Sequence, residues 1–411
     1  MATIIRSIGL PRNNFWILWG STTASNLADG LFKISLPILA AGLTQSPGLV
    51  AGVTFAITLP WPLLALHAGA LADRYNRRNM MITANLLRVV VLSTIVLFVA
   101  TKLVSIWMLY GCALLLGIAE TFADTAAMSL IPSIVQAGSL EKANARLVAT
   151  QTLTNEFIGP SLGGLLTTVG VALTLGLSSG LYALAMFFLL GLVGVFRSAN
   201  VETSSISADI IEGLHYLAKQ RLLRTLTLIV GVMAGCWSAW LAILVVYVVE
   251  PGPVGLDKWG YGLLLAGIGV GGVIGAMIVN PITQQLGRRW AIGMDILGTF
   301  IMMLTPAITT NPILIGTAAI IGGMGGTMWS VVVATLRQNI VPDYLLGRVS
   351  GAMRLVGWRT LPIGAALAGI IAQTLGVRAV FALGAGVTFL LFIPFFRIIT
   401  DEVISTSLSQ T

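Results

Sequence analysis

The chain has 411 residues, of which 56% are hydrophobic and only 9% charged, and its 23 Lys and Arg outnumber 15 Asp and Glu to give a net charge of +8. Mean hydropathy is +0.94. A water-soluble protein of this length needs far more charge to cover its surface, so the chain dissolves mostly in lipid, which restricts it to a helix bundle or a closed barrel.

Apolar runs of about 20 residues, the length that crosses a bilayer at 1.5 Å per residue, recur from Phe15 to Ile399. They are too continuous for barrel strands, which alternate every second residue. Span 1 covers 15–43 and follows a start, Met1 to Asn14, without a cleavable-signal pattern, so this helix is expected to stay. Span 2 (48–71) begins at the turn Gln45-Ser46-Pro47-Gly48, and span 3 (79–101) follows the charged loop Asp73 to Arg78. Span 4 (104–129) is closed by Ile131-Pro132, and spans 5 (144–168) and 6 (171–196) complete a first half. Residues 198–222 form the longest loop, in which Ile210, Ile211, Leu214 and Leu217 recur near helical spacing. That pattern predicts an amphipathic helix bridging two halves. Spans 7 to 12 cover 223–249, 259–281, 290–310, 312–335, 350–374 and 378–399.

The expected division is therefore an N-terminal half at 1–197, a linker at 198–222, a C-terminal half at 223–400 and a tail at 401–411. The halves repeat. Asp73 to Arg78 between spans 2 and 3 is matched by Gln284 to Arg289 between spans 8 and 9, and Pro132 after span 4 by Pro342 after span 10. Six plus six spans of one polarity make parallel repeats about an axis along the membrane normal.

Cations fix the expected sides. Sixteen, from Arg6 and Arg12 through Arg74, Arg77, Arg78 and Arg197 to Arg397, fall on one set of ends. Lys102, Lys258 and Arg378 fall on the other, and Lys33, Arg88, Arg354 and Arg359 lie inside spans, which accounts for all 23. The excess is read as the positive-inside pattern rather than as a nucleic-acid surface, with both termini cytoplasmic in the cell (inner) membrane. Cys112 and Cys236 sit in apolar runs without a CxxC pattern, and His67 and His215 form no metal spacing, so no metal or cofactor is expected.

The stretch Gly69-Ala70-Leu71-Ala72-Asp73-Arg74-Tyr75-Asn76-Arg77-Arg78 resembles the loop 2–3 signature of the major facilitator superfamily, with Asn76 where the family usually has Gly. Locally, a Gly lets helices approach, an Asp can cap or bridge across the half–half seam, and arginines hold the loop at an anionic leaflet. The resemblance implies a cytoplasmic gate of Gly69, Asp73, Arg74, Arg77 and Arg78. Glu156-Phe157-Ile158-Gly159-Pro160-Ser161-Leu162-Gly163-Gly164 is similar to the span 5 signature of the drug–proton antiporter branch. There Pro160 bends the helix, and Gly159, Gly163 and Gly164 give a smooth packing face. Ordinary glycine packing accounts for the same residues without antiport. Further stretches, among them Asn26-Leu27-Ala28-Asp29-Gly30, Ala119 to Asp124 and Leu140 to Leu147, resemble macrolide-efflux and siderophore-exporter proteins. The buried Arg that many drug antiporters carry in span 4 is missing, because Tyr110 to Ala119 is uncharged.

Ionisable groups at membrane depth are costly and point to function. Asp29 lies near the midplane of span 1, with Lys33 one turn later on the same face. Glu120 and Asp124 share a face of span 4, roughly 18 and 12 Å from its Pro132 end, and Glu156 is about 18 Å up span 5 from Asn144. Such carboxylates in one cavity can exchange protons. A static lattice pairing Asp29 with Lys33, and Arg88 with Asp124 or Glu120, is the alternative reading without proton exchange. Asp295 lies nearer the interface and reads as structural. Phe122, Phe157, Trp237, Trp240, Trp358 and Arg359 are candidates to line a cavity for an amphipathic molecule.

The reading is an exporter of amphipathic small molecules of drug, macrolide or siderophore type, monomeric, driven by the proton gradient through alternating access. The coupling residues are Asp29, Glu120, Asp124 and Glu156. A lysophospholipid transporter without proton exchange and a non-transporting receptor or scaffold are the alternatives. No nucleophile–base pair, metal set or phosphate loop points to an enzyme.

Overall fold

The structure, a computed structural model, describes residues 14–135, 139–194, 196 and 206–409. Arg6, Arg12 and Arg197 lie outside the described residues, as do the side chains of Asp73 and Ile210. Helices α1 (Asn14–Leu43), α2 (Pro47–Thr58), α3 (Pro60–Arg74), α4 (Arg77–Ala100), α5 (Ile106–Ile134), α6 (Leu140–Gln151), α7 (Gly159–Val169) and α8 (Val171–Leu190) build the first half. A π-helical segment, Thr152–Ile158, joins α6 to α7. Helix α9 (Ile206–Lys219) follows the first half in sequence and packs on α14 and α10 of the second. Helices α10 (Arg221–Val248), α11 (Lys258–Gln285), α12 (Arg288–Ile308), α13 (Pro312–Ile340), α14 (Asp343–Trp358), α15 (Thr360–Leu375), α16 (Val377–Leu390) and α17 (Phe392–Ile398) build the second, and α18 (Asp401–Ser409) follows.

Eleven helical stretches among the described residues are long and apolar enough to cross a membrane. The twelfth crossing is α6, the π segment and α7, which together form one interrupted span. The protein is a twelve-span helical bundle with two pseudo-symmetric halves. Packing repeats between them: α4 lies on α5 and α8 as α12 lies on α13 and α16, and α1 lies on α7 as α10 lies on α15.

Helix starts are set by polar caps whose side chains accept otherwise unpaired amides. Ser46 accepts from Leu49, Asn76 from Arg78, Ser105 from Met108, Asp257 from Gly260 and Asn311 from Ile313. Pro47 and Pro312 follow their caps, where a missing N–H costs nothing. Inside spans the same residue type breaks the chain. Span 2 divides into α2 and α3 at Leu59-Pro60, and Pro160 enters α7 next to the widened π turn.

Several expected ends move. Pro132 does not close span 4, because α5 runs through it to Ile134. Span 6 stops at Leu190 rather than near 196, and span 11 begins at Asp343 and breaks at Arg359.

The end of the bundle that carries α9 and α18 is called the linker end below, and the opposite one the far end. The halves meet through α2 against α15 and α10, and through α7 and the π segment against α11. At the far end the seams are tight. A methyl on Gly164 would stand 2.9 Å from Gly262 Cα, and one on Gly48 would stand 3.3 Å from the Gly369 carbonyl. Ser46 Oγ donates to Gln373 Oε1 at 2.7 Å, and Lys258 Nζ donates to the Thr167 carbonyl at 3.4 Å. Toward the linker end α3 and α14 barely touch. The seam is tight at the far end and loose at the linker end, where the sparsely packed line between α3 and α14 is called the mouth below.

Candidate functional site

The N-terminal half holds a polar cluster between α1, α4, α5, the π segment and α8. Asp29 of α1 is 5% exposed, and the Tyr182 hydroxyl of α8 donates to its Oδ1. The Arg88 guanidinium of α4 lies 4.8 Å from the centroid of the Tyr182 ring. Arg88 is itself 2% exposed, bonds Asn85 Oδ1 at 3.3 Å, and leaves Nη2 without a partner. A buried charge in lipid needs such company to persist.

Lys33, one turn from Asp29, does not pair with it. Its Nζ lies 3.5 Å from Glu120 Oε1 on α5 and 3.5 Å from Asn155 Oδ1 in the π segment. Asn155 in turn donates to Asn26 at 3.4 Å. The static pairing of Asp29 with Lys33 is thus replaced by two linked sets, Arg88–Tyr182–Asp29 and Lys33–Glu120–Asn155. Asp124, half-buried one turn from Glu120, sits within electrostatic reach of Glu120, Arg88, Asp29 and Lys33, and Glu156 is within reach of Lys33. Asp29, Glu120 and Asp124 therefore gather around two cations, whereas Glu156 is exposed on the π segment and reaches only Lys33 of the two. The shape of the site comes from small residues: Gly30 and Gly159 meet backbone to backbone, a methyl on Gly30 standing 2.8 Å from Gly159 Cα. This contact draws the π segment onto α1 and brings Asn155 to Lys33.

The span 5 glycines divide their work. Gly159 and Gly163 face Gly30 and Leu31 within one half, whereas Gly164 faces Gly262 of the other half. Pro160 is buried at the start of α7, and its carbonyl lies against Gly262.

The loop 2–3 arginines act inside the N-terminal half. Arg77 donates to the carbonyls of Ala72 and Ser129 at 3.1 and 2.9 Å, and Arg78 to those of Leu189 and Leu190, both at 2.8 Å. They staple the linker ends of α3, α5 and α8 through carbonyls near helix C-termini, where a cation is favoured. Arg74 is exposed. The expectation that Gly69 admits a neighbouring helix fails here, because a methyl at that position would meet nothing within 4 Å. Asp73 lies in the last turn of α3, its side chain outside the described residues.

Among the aromatics, Trp240 is fully buried, stacked on Trp237 at 6.2 Å, and cannot line an open cavity in this arrangement. Phe122 and Trp237 are half-buried, and Phe157 lies at the α11 seam beside Gly269. Trp358 of α14 meets Trp61 of α3 edge-on at 4.9 Å, joining the two halves, and Arg354 lies over the Trp358 ring at 5.7 Å. Arg359 is exposed where α14 passes into α15. Asp295, which the sequence placed nearer the interface, is 6% exposed and packs against Gly325 of α13.

Sequence reasoning missed Tyr182, Asn85 and Trp61, and noted Asn155 only as an unusually polar residue in the span 5 signature without giving it a role. Tyr182 carries a signal in retrospect, since a phenol within an apolar run needs a polar partner. Trp61 carries none, because its partner lies on another span.

The family described as transmembrane secretion effector matches residues 9–404. The chain is similar to the multidrug efflux pump Tap of Mycolicibacterium fortuitum, 27% identical over 383 residues that cover 89% of this chain and 90% of Tap. It is also similar to the enterobactin exporter EntS of Shigella boydii serotype 4, 25% identical over 347 residues covering 83% and 80%. Two solved structures share the fold. The nucleoside transporter NupG has a TM-score of 0.73 at 11% identity, covering 93% of this chain and 99% of its own. A bacterial homologue of the iron transporter ferroportin, in an inward-facing state, has a TM-score of 0.72 at 16% identity, covering 94% and 98%.

Proposed function

The chain belongs to the transmembrane secretion effector family of the major facilitator superfamily, and from that premise we propose that it exports an amphipathic small molecule of drug or siderophore type in exchange for protons. The observation that carries this reading is the gathering of Asp29, Glu120 and Asp124 around Lys33 and Arg88, with Glu156 exposed within electrostatic reach of Lys33, in a bundle packed tightly at one end and loosely at the other. The cation bias assigns the linker end, and with it the mouth, to the cytoplasm of an inner-membrane protein. Substrate enters there as the carboxylates give up protons. The halves rock about the seam, the far end opens, and protons entering from outside reload the acids as substrate leaves. The proton gradient is the energy source, no bound cofactor takes part, and one copy of the chain is a complete transport unit.

Within the cluster, Lys33 and Arg88 keep several carboxylates tolerable at membrane depth in either protonation state. Asp29 is held by Tyr182. Glu120, Asp124 and Glu156, less enclosed, are the groups that exchange with the cavity. Asp73 acts in the cytoplasmic closure, where α3 and α14 would meet. Trp61, Trp358 and Phe157 offer apolar surface to the substrate.

The test uses efflux-deficient cells and then proteoliposomes, with a macrolide, a cationic dye, a catecholate siderophore and a lysophospholipid as probes. The account expects at least one of the first three to be expelled, and expulsion to stop when an uncoupler collapses the gradient. Transport that persists under the uncoupler, or that is confined to the lysophospholipid, would replace proton exchange with lipid transport.

A further inference from the structure

The acid cluster lies in one half, and closing the mouth requires the other half to approach it. Toward the linker end a cation of the C-terminal half already reaches across. Arg354 of α14 places Nη1 3.5 Å from Met128 Sδ on α5, and Met128 is one turn from Asp124 toward the linker end. Behind it the guanidinium rests on Trp358, which is braced against Trp61 of the opposite half. A thioether is a weak acceptor for a guanidinium. The charge is therefore parked about 6 Å along the helix axis from a carboxylate that would hold it more strongly.

The groups that face Asp124 are Asp29 and Lys33 from α1, Arg88 from α4, Glu120 from its own helix and Arg354 from α14. Arg337 of α13 faces Arg354 from its own half, a like charge that pushes it toward the acids. Inside the N-terminal half, Asp29, Glu120, Asp124 and Glu156 outnumber Lys33 and Arg88, so the cluster can accept one more cation whenever its acids are ionised.

We propose that Arg354 reads the charge of Asp124 across the seam, resting on Met128 while the mouth is open and pairing with the ionised carboxylate as the mouth closes. Ionised Asp124 then draws α14 toward α5. A proton arriving on Asp124 from the far side removes the attraction and lets the linker end part again. The sign fits exchange, since the cytoplasmic mouth closes after protons have left and reopens after others have arrived. Arg354 is a positioning residue, acting on the movement of the lobes rather than on substrate. The inference rests on the proposed exchange reading for its physiological meaning but is measured separately from it.

Spin labels at Tyr75 and Leu286, both exposed at the linker end on opposite halves, report the width of the mouth in Cys112→Ala/Cys236→Ala protein in nanodiscs. In otherwise unaltered protein, the fraction with the short distance should grow as pH rises. Arg354→Gln should cut that fraction roughly fivefold or more and flatten its pH profile, as expected for coupling between two sites. Asp124→Asn should do the same, the double variant should lose nothing further, and Arg354→Lys should restore part of the closure. Closure that follows pH unchanged in Arg354→Gln, or single losses that multiply in the double variant, would overturn the proposal. Arg354→Leu, which keeps bulk against Trp358, takes the place of Arg354→Gln if that variant does not melt cooperatively. Should efflux prove indifferent to the proton gradient while closure still tracks pH through Arg354, the exchange reading falls and the sensor stands. If efflux is proton-driven and closure ignores Arg354, only the sensor falls.

Discussion

Lys33 of α1 stands 3.5 Å from Glu120 of α5, although Asp29 is its neighbour by one helical turn. The hydroxyl of Tyr182 occupies Asp29 instead, which frees Lys33 to join α1 to α5 and to Asn155. A nearest-neighbour pairing along one helix has become a link between three spans. This makes the charge state of the cluster a property of how those spans are arranged.

Glu120→Gln removes the ionisable group that Lys33 touches while keeping its shape. Gradient-driven efflux in proteoliposomes should fall by about tenfold or more, as expected when a proton-exchanging group is lost. Substrate binding in detergent should survive. Lys33→Gln should also impair efflux, because it leaves the carboxylates with Arg88 alone.

Tyr182→Phe deletes the donor to Asp29 and leaves the ring under Arg88. A buried acceptor left unsatisfied costs about 1–3 kcal/mol, so the variant should melt at a lower temperature than the parent protein. Arg88→Lys should be no milder than Arg88→Gln, because an ammonium cannot stack on the phenol as a guanidinium does. A melting temperature unchanged in Tyr182→Phe would mean that the contact contributes little.

Most of the architecture was legible in the sequence because lipid allows so few solutions. The twelve crossings, the two halves and the family all follow from apolar run length, loop charge and two short motifs. What was not legible depends on contacts between spans. Pro132 reads as a stop, yet α5 passes through it, because a proline within a helix of this length can be carried by its packing on α3 and α4. The paired reading of Asp29 and Lys33 was reasonable from i,i+4 spacing alone and failed because Tyr182 lies 153 residues away. Trp240 reads like its neighbour Trp237, and only the fold shows that one is enclosed and the other half-exposed.

Gly164→Val should loosen the far end. Side-chain atoms there would meet the backbone of Gly262, since even a methyl stands 2.9 Å from its Cα. Cysteines introduced at Ser46 and Gln373, whose side chains are 2.7 Å apart, would report the change. Cross-linking between them should drop several-fold in Gly164→Val but stay near the parent level in Gly176→Ala, where added bulk meets nothing within 4 Å.

Arg78→Ala should reveal a staple rather than a gate. Losing two bonds to the end of α8 should lower stability by about 1 kcal/mol, with partial solvent exposure reducing the cost of the lost charge. Efflux per folded molecule should be preserved. Loss of efflux at full stability would instead place Arg78 in the gate.

The central claim concerns protons on the carboxylates around Lys33, and infrared difference spectroscopy across a pH titration observes them without needing to know the substrate. The account predicts carboxylic-acid bands that change across the titration, with distinct components absent in Glu120→Gln, Asp124→Asn and Glu156→Gln. Bands that are identical in the parent protein and in all three variants would show that these groups hold no exchangeable proton, and the exchange mechanism would be wrong.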